Sequence, residues 1–482
     1  MSILEQFPKK LTPRDVQKNA LLELEKRIDD ANILVVNLPV ASGKSAIAMT
    51  IAHWRKKCSI ITPTKLLVEQ YKNEYNYIHV LRAKSDYWCD TFKCPLNKRP
   101  KVKKLGATCK AALGCSGCKS YLSDLRKARV MPYLLSNYYI YLAHALYRDT
   151  LVIDEAHNLI DVLKQMSAKK LWSFKHKFPH NLRTRDDVKY WINNLDDYMF
   201  QNADLKFLRD EINSYRPRFL ITVGEEMYHG ESYRCIKMLP LDISDAPPVM
   251  WPSQVKKIIL LSATISRKDI EQLGLAGKKV QYIQADSPIQ AERRPVIFPR
   301  ENKSMAFRSQ DENLKHLVNF IEETAMQNEG KGLIHATYSL ANKLKNVNWS
   351  PEIKDRLIFH NRTNKAQMYN EFRAAEEGKI LVASGMYEGI DLPYDAGRWQ
   401  VLAKIPWPSL ADPAIKFLCD EDDEWYQWEC LKTVLQACGR ICRTPDDYGV
   451  TYIFDSTFKR LYESSIRNGT MPKWFKNSVK GI

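Results

Sequence analysis

Short apolar runs recur along this chain, separated by spacers of helix length. Residues 33–38, Ile-Leu-Val-Val-Asn-Leu, are rich in branched side chains and lack polar alternation, as a strand buried on both faces requires. Residues 59–62, 151–153 and 258–261 repeat the pattern, and residues 46–54 and 66–77 between them carry helical spacing. The pattern restarts near residue 297, with strand-like runs at 332–335, 380–383, 400–403 and 451–454. Strands alternating with helices predict an α/β fold of doubly wound parallel sheets, which bind ligands at the strand C-terminal ends. A linker at 285–294 divides the chain into units 1–295 and 296–482. Two insertions interrupt the first unit. Residues 79–129 are rich in cysteine and lysine. Residues 158–218 carry Trp, Lys, Asp and Asn at helical spacing and predict a small helical subdomain.

Composition narrows the class. The chain has 482 residues, 45% hydrophobic and 27% charged, as globular proteins do. A net charge of +17 points to a polyanionic partner, nucleic acid first, against the plainer reading of a generally basic surface. No uninterrupted apolar run reaches the length of a membrane span, and residues 1–11 lack the apolar core of a secretion signal. The expected setting is therefore the cytoplasm, where clustered cysteines favour metal over disulfides.

Chemistry gathers at the strand ends. Leu38-Pro39-Val40-Ala41-Ser42-Gly43-Lys44-Ser45 joins the strand-like run at 33–38 to the helical segment at 46–54. Backbone N–H groups at such a helix start bind phosphate, Lys44 neutralises the β and γ oxygens, and Ser45 ligates Mg²⁺. Ser42 and Gly43 complete the cradle. Asp154-Glu155-Ala156-His157 follows the strand at 151–153; Asp154 is placed to hold Mg²⁺ and Glu155 to polarise the attacking water. Gln436, Arg440 and Arg443, spaced four and three apart, would share one face of a helix and aim two guanidiniums and an amide at one target. Arginines of this kind stabilise charge on a γ-phosphate in the transition state. Glu388-Gly389-Ile390-Asp391 sets a glycine turn and the Asp391 carboxylate at another strand end, and Arg14 and Gln17 are placed to read an adenine edge.

Cys89, Cys94, Cys109, Cys115 and Cys118 offer five thiols where a metal site takes four, and spacing alone leaves zinc and a [4Fe–4S] cluster both open. Lys98, Arg99, Lys101, Lys103 and Lys104 lie between them, and Lys110, Lys119, Arg126, Lys127 and Arg129 extend the basic run. On a rigid knob such a run reads as a strand-binding surface. Tyr87, Trp88, Phe92 and Tyr121 would serve either as stacking contacts or as the knob's own core.

The order Arg14-x-x-Gln17, Gly-Lys-Ser, Asp-Glu-Ala-His, Ser262-Ala263-Thr264, Glu-Gly-Ile-Asp and Gln-x-x-Gly-Arg-x-x-Arg resembles that of superfamily 2 helicases over about residues 11–460. Ala336-Thr337-Tyr338 resembles the opening motif of that family's second motor domain. The cysteine insertion makes the chain similar to the XPD/DinG branch, in its bacterial or phage DinG-like form. The loop departs from the family pattern at Leu38 and Ala41, where glycine is usual, and residues 158–218 are shorter than the family's Arch domain.

The resemblance implies two RecA-like motor domains, an iron–sulfur domain at 79–129 and a short Arch-like insertion. It implies ATP, Mg²⁺ and a [4Fe–4S] cluster as cofactors, with zinc as the alternative metal. It implies 5′→3′ movement on single-stranded DNA and forks by a monomer in a bacterial or phage-infected cytoplasm, with RNA or a DNA–RNA hybrid as a further track. Asp86-Tyr87-Trp88-Cys89 resembles the family's entry to the cluster, and Cys118-x-x-Tyr121 running on to Ser136-Asn137-Tyr138 its exit. That favours Cys89, Cys109, Cys115 and Cys118 as ligands, with Cys94 the alternative. A chain opening so near Arg14 also leads one to expect no appended nuclease. Two other functions fit the same residues. One is an ATPase that remodels protein–DNA complexes or R-loops without processive unwinding. The other is a zinc-binding nucleic-acid module with a degenerate nucleotide site.

Overall fold

Strands that read as unbroken apolar runs become the middle of parallel sheets. The structure, a computed structural model, describes residues 2–39, 42–89, 94–96, 119–215, 218–228, 231–241, 243, 252–275, 278–361, 363–376, 378–387 and 390–482. The first seven-stranded sheet comprises β1 (Ile33–Asn37), β2 (Cys58–Thr62), β3 (His79–Val80), β4 (Tyr133–Asn137), β5 (Thr150–Asp154), β9 (Lys257–Ser262) and β10 (Val280–Gln284). Their order is β10-β1-β9-β5-β2-β4-β3, so most neighbours in the sheet are not consecutive strands in sequence. β9, β5, β2, β4 and β3 pair in parallel. β2 and β5 are buried at every position, because helices cover both faces. The helix α1 (Asp15–Arg27) precedes β1, α2 (Lys44–Arg55) joins β1 to β2, and α3 (Lys65–Glu74) lies between β2 and β3 in sequence.

The segment after β5 is more than helical. Helices at Leu159–Ser167, Arg185–Asn193 and Ala203–Ile212 match the expectation for 158–218. They are joined by a three-stranded antiparallel sheet in the order β6-β8-β7, formed by β6 (Lys169–Trp172), β7 (Phe219–Tyr228) and β8 (Glu231–Pro240). Leu171, Val188, Ile192, Leu205, Leu208, Ile221, Ile236 and Met238 bury a core of their own here. The subdomain is therefore mixed α/β and runs to Pro240. The β7–β8 hairpin escapes a search for apolar runs because Glu225 and Glu226 on β7 and Lys237 on β8 interrupt its apolar positions.

By contacts the chain divides into two compact units, one of Met1–Pro13, Ala20–Val36 and Lys44–Ile283, the other of Arg14–Asn19, Asn37–Gly43 and Gln284–Ile482. The division falls at Ile283, so the expected linker groups with the second unit. That unit holds a second seven-stranded sheet: β11 (Val296–Ile297), β12 (Gly332–Ala336), β13 (Leu357–Phe359), β14 (Ile380–Ser384), β15 (Trp399–Leu402), β16 (Val450–Ile453) and β17 (Val479–Lys480), ordered β13-β14-β12-β15-β16-β11-β17. All its pairings are parallel. Gly332 sits where β12 meets β15; a Cβ there would lie 2.2 Å from the Trp399 ring, so no larger residue fits without displacing the largest side chain in this core.

A polar ladder crosses the centre of this sheet. His335 Nε2 meets Gln400 Oε1 at 3.2 Å, and Gln400 Nε2 donates to Thr451 Oγ1 at 2.8 Å, linking β12, β15 and β16. His335 is wholly buried, and burial pushes its pKa down to about 4 despite the Gln400 bond. An unfolded histidine titrates near 6.5, so between these values the unfolded chain takes up a proton that the fold refuses. Stability is intact above pH 6.5 and falls as pH drops toward 4, by up to about 3 kcal/mol from this one group. Urea midpoints for the wild type and His335→Gln should diverge at pH 7 and converge toward pH 4.5; a gap between the two that does not change with pH would refute the assignment.

Candidate active site

Lys44 opens α2, and its backbone neighbours present the N–H groups of a helix start. In the first unit Lys44 Nζ lies 3.0 Å from Glu155 Oε1. Glu155 follows the last residue of β5 and takes a left-handed backbone, φ +49°. That turn lifts its side chain off the strand direction toward Lys44. Asp154, the strand's last residue, is buried, and its Oδ1 accepts from the Glu155 backbone N–H at 2.9 Å. Burial first, and the adjacent Glu155 charge second, raise the Asp154 carboxyl above its ordinary value, while Lys44 opposes both. The pair of carboxylates therefore needs cationic charge close by.

His157 ties this strand end to the next. Its Nδ1 meets Ser262 Oγ at 2.9 Å and lies 3.5 Å from Glu155 Oε2. Asn158 Nδ2 donates to His157 Nε2 at 2.9 Å, so the neutral ring carries its proton on Nδ1 and donates to Ser262. Ser262 Oγ also accepts from the Thr264 N–H at 3.0 Å. Because β9 and β5 are parallel, with Leu261 opposite Asp154, Ser262-Ala263-Thr264 and Asp154-Glu155-Ala156-His157 emerge at one sheet edge.

Three contacts to this edge were not foreseen. Tyr71 OH donates to Asp154 Oδ2 at 2.7 Å. Tyr138 OH reaches the Asp154 carbonyl at 2.6 Å and the Glu155 carbonyl at 3.0 Å. Ser45 Oγ donates to Glu74 Oε2 at 3.2 Å. Both tyrosines are buried.

The second unit carries the remaining candidates. Gln17 is buried and bridges; its Oε1 accepts from the Arg14 N–H at 2.9 Å and its Nε2 donates to the Gly43 carbonyl at 3.3 Å. Gly43 has φ +72°, and a Cβ there would meet Gln17 Nε2 at 2.3 Å, so glycine is required. Ser42 Oγ is buried and has no hydrogen-bond partner among the described residues. Within the first unit, the donor set of Lys44, Ser45 and the buried Asp154 fits a magnesium nucleotide.

The expected helix face of Gln436, Arg440 and Arg443 is corrected. The helix Asp423–Cys438 ends at Gly439, and only Gln436 lies on it. Arg440 Nε instead donates to the Gln436 carbonyl at 2.8 Å and Arg443 Nη1 to the Gly439 carbonyl at 2.8 Å, so both guanidiniums cap carbonyls at the helix end. Arg440 Nη1 also donates to the Ile390 carbonyl at 2.9 Å, and Arg443 forms an ion pair with Asp391. The structure thus brings Arg440, Arg443 and Asp391 together, by helix capping rather than by helical periodicity. Gly389 lies outside the described residues.

Of the cysteine window, Cys89 is buried, and the backbone sets it directly opposite Cys94 in a two-stranded ribbon, Trp88–Cys89 with Cys94–Pro95. Cys109, Cys115 and Cys118, with the basic run 98–110 and Phe92, lie outside the described residues. Tyr87 and Tyr121 pack edge to face at 5.2 Å, with Tyr87 OH donating to Asp124 at 2.9 Å, whereas Trp88 is 52% exposed.

Two family models match the chain: a helicase C-terminal domain over residues 321–478, and the res subunit of type III restriction enzymes over residues 10–182. The ATP-dependent DNA helicase YoaA of Escherichia coli is 21% identical over 46% of this chain and 36% of its own length. The 3'-5' exonuclease DinG of Bacillus subtilis is 24% identical over 46% of this chain and 26% of its own length. The matches thus span about a third of these relatives. Among solved structures, an XPD helicase superposes with a TM-score of 0.61 at 15% identity, covering 97% of this chain and 98% of that one. The Xpd4 structure from S. tokodaii gives 0.58 at 13% identity, covering 97% and 99%. The helicase C-terminal match, the YoaA and DinG relatives and the XPD fold agree in making this chain similar to the XPD/DinG-like helicases of superfamily 2.

Proposed function

We propose that the chain hydrolyses ATP to move along single-stranded DNA and part duplex strands, in the 5′→3′ direction its family resemblance implies. The observation that carries this reading is the convergence of Lys44, Ser45, Asp154 and Glu155 at one edge of the first sheet. Ser45 and Asp154 would hold Mg²⁺, which would supply positive charge to the β and γ phosphates. Lys44 would exchange Glu155 for those phosphates, and the released Glu155 would take the proton of the attacking water. By the family resemblance, Gln436 would orient that water, and Arg440 and Arg443 would offset charge on the transferred phosphoryl group. His157, bonded to Ser262, carries the state of the Glu155 loop to a neighbouring strand end.

Glu155→Gln should lower DNA-stimulated ATP turnover by about 100-fold or more while leaving nucleotide binding intact. Lys44→Ala should lose both. Undiminished turnover in Glu155→Gln would sink the assignment. A strand-displacement assay run beside a protein-displacement assay separates unwinding from remodelling, and substituting RNA for DNA tests the track.

For the cysteine window we propose a [4Fe–4S] cluster on Cys89, Cys109, Cys115 and Cys118, in a domain that stands at the fork. Anaerobically purified protein should be brown and contain iron and acid-labile sulfide; a colourless, zinc-loaded protein would replace the cluster with a zinc site. Single Cys94→Ser and Cys109→Ser variants decide the fourth ligand. Iron should be lost in Cys109→Ser and kept in Cys94→Ser, and the reverse result would exchange the two.

A further inference from the structure

We infer that α3 is a positioning element of the metal–nucleotide site, in which Tyr71 orients Asp154 and Glu74 orients Ser45. The inference rests on the Mg-nucleotide reading above and adds two residues to it. Tyr71, Glu74 and Tyr75 stand at i, i+3 and i+4 and so share one helix face. From that face Tyr71 OH donates to Asp154 Oδ2 at 2.7 Å. The other oxygen of Asp154 accepts from the Glu155 N–H at 2.9 Å. With one donor on each oxygen the carboxylate plane is fixed, and lone pairs remain on both for a cation or its waters.

Glu74 acts on a hydroxyl rotor. A serine that ligates a cation must turn its proton away from the metal. Ser45 Oγ donates that proton to Glu74 Oε2 at 3.2 Å, which leaves the oxygen lone pairs for the cation. Glu74 is held in turn, since Tyr75 OH donates to its Oε1 at 2.9 Å. The helix is anchored independently of these contacts. Thr64 caps its N-terminus by accepting from the Leu67 N–H, Val68 is buried, and Glu69 accepts two bonds from Arg82. One rigid element therefore sets the geometry of both candidate metal ligands, which flank it in sequence.

The test is the Mg²⁺ dependence of binding of a fluorescent methylanthraniloyl-ADP to the full chain, titrated with and without EDTA, beside thermal melts. Tyr71→Phe and Glu74→Ala should each weaken the apparent Mg²⁺ affinity by about 10-fold to 100-fold and leave affinity in EDTA and the melting temperature near wild type. Glu74→Gln, which keeps an acceptor oxygen, should recover part of the loss. Wild-type Mg²⁺ affinity in Tyr71→Phe and Glu74→Ala would overturn the inference. So would equal losses with and without Mg²⁺ together with a lowered melting temperature, because those are the marks of a merely structural role. Ser45→Ala and Asp154→Asn serve as references. If they lose the Mg²⁺ response while the α3 variants keep it, α3 alone is wrong; if they too keep it, the nucleotide reading falls and α3 with it.

Discussion

The ion pair between Lys44 and Glu155 is the constraint on which the first unit turns. Both side chains are mostly withdrawn from water, with 16% and 24% of their surface exposed. A charge so placed is costly to leave alone, on the order of 3–5 kcal/mol when its partner is removed. The nucleotide loop and the end of β5 must therefore stay in register, and whatever separates Lys44 from Glu155 must supply replacement charge to each. A magnesium nucleotide would do this: its phosphate oxygens would take Lys44 and its cation would offset the charge of the neighbouring Asp154. The same exchange would make Glu155 available to water. Under the proposed chemistry, binding and activation of the base are one event.

How much of this is legible in sequence follows from how each part is stabilised. The sheets are legible because strands buried on both faces leave runs such as Leu-Val-Ile at 151–153, and the loops at their ends inherit their positions from the strands. The hairpin 219–240 is not, because a half-exposed sheet mixes Glu225, Glu226 and Lys237 with its apolar positions. The spacing of Gln436, Arg440 and Arg443 suits a helix, yet Gly439 ends the helix first. The guanidiniums then fall to the helix terminus, where exposed carbonyls attract cations. Periodicity set the three residues on one helix face, whereas the structure leaves only Gln436 on the helix.

Tyr71 and Tyr138 expose a different limit. An apolar pattern assigns a buried tyrosine to the core by its ring, and both rings are indeed buried. Pattern says nothing of where the hydroxyl goes. Here both hydroxyls end on the Asp154–Glu155 turn, where a buried carboxylate and carbonyls freed by a left-handed residue need donors. A buried polar group must find a partner, so the demand of the site selects the tyrosines. The cue available beforehand is modest: Tyr71 and Glu74 lie on one face of a predicted helix that follows the second strand.

The second unit repeats the logic of the first with weaker coupling. Arg443 rests on Asp391 as Lys44 rests on Glu155. Asp391 keeps 60% of its side chain in water, so this pair is worth no more than about 1 kcal/mol and gives way readily. Arg440 is bound more firmly in place, with bonds to carbonyls on both Gln436 and Ile390 that do not require a carboxylate. The two arginines are therefore unequal. Arg440 is held by two backbone carbonyls, whereas Arg443 divides its guanidinium between the Gly439 carbonyl and the exposed Asp391 carboxylate. A cation held on an exposed carboxylate is released at little energetic cost. In the first unit, by contrast, Lys44 and Glu155 are mostly withdrawn from water, and separating them costs more.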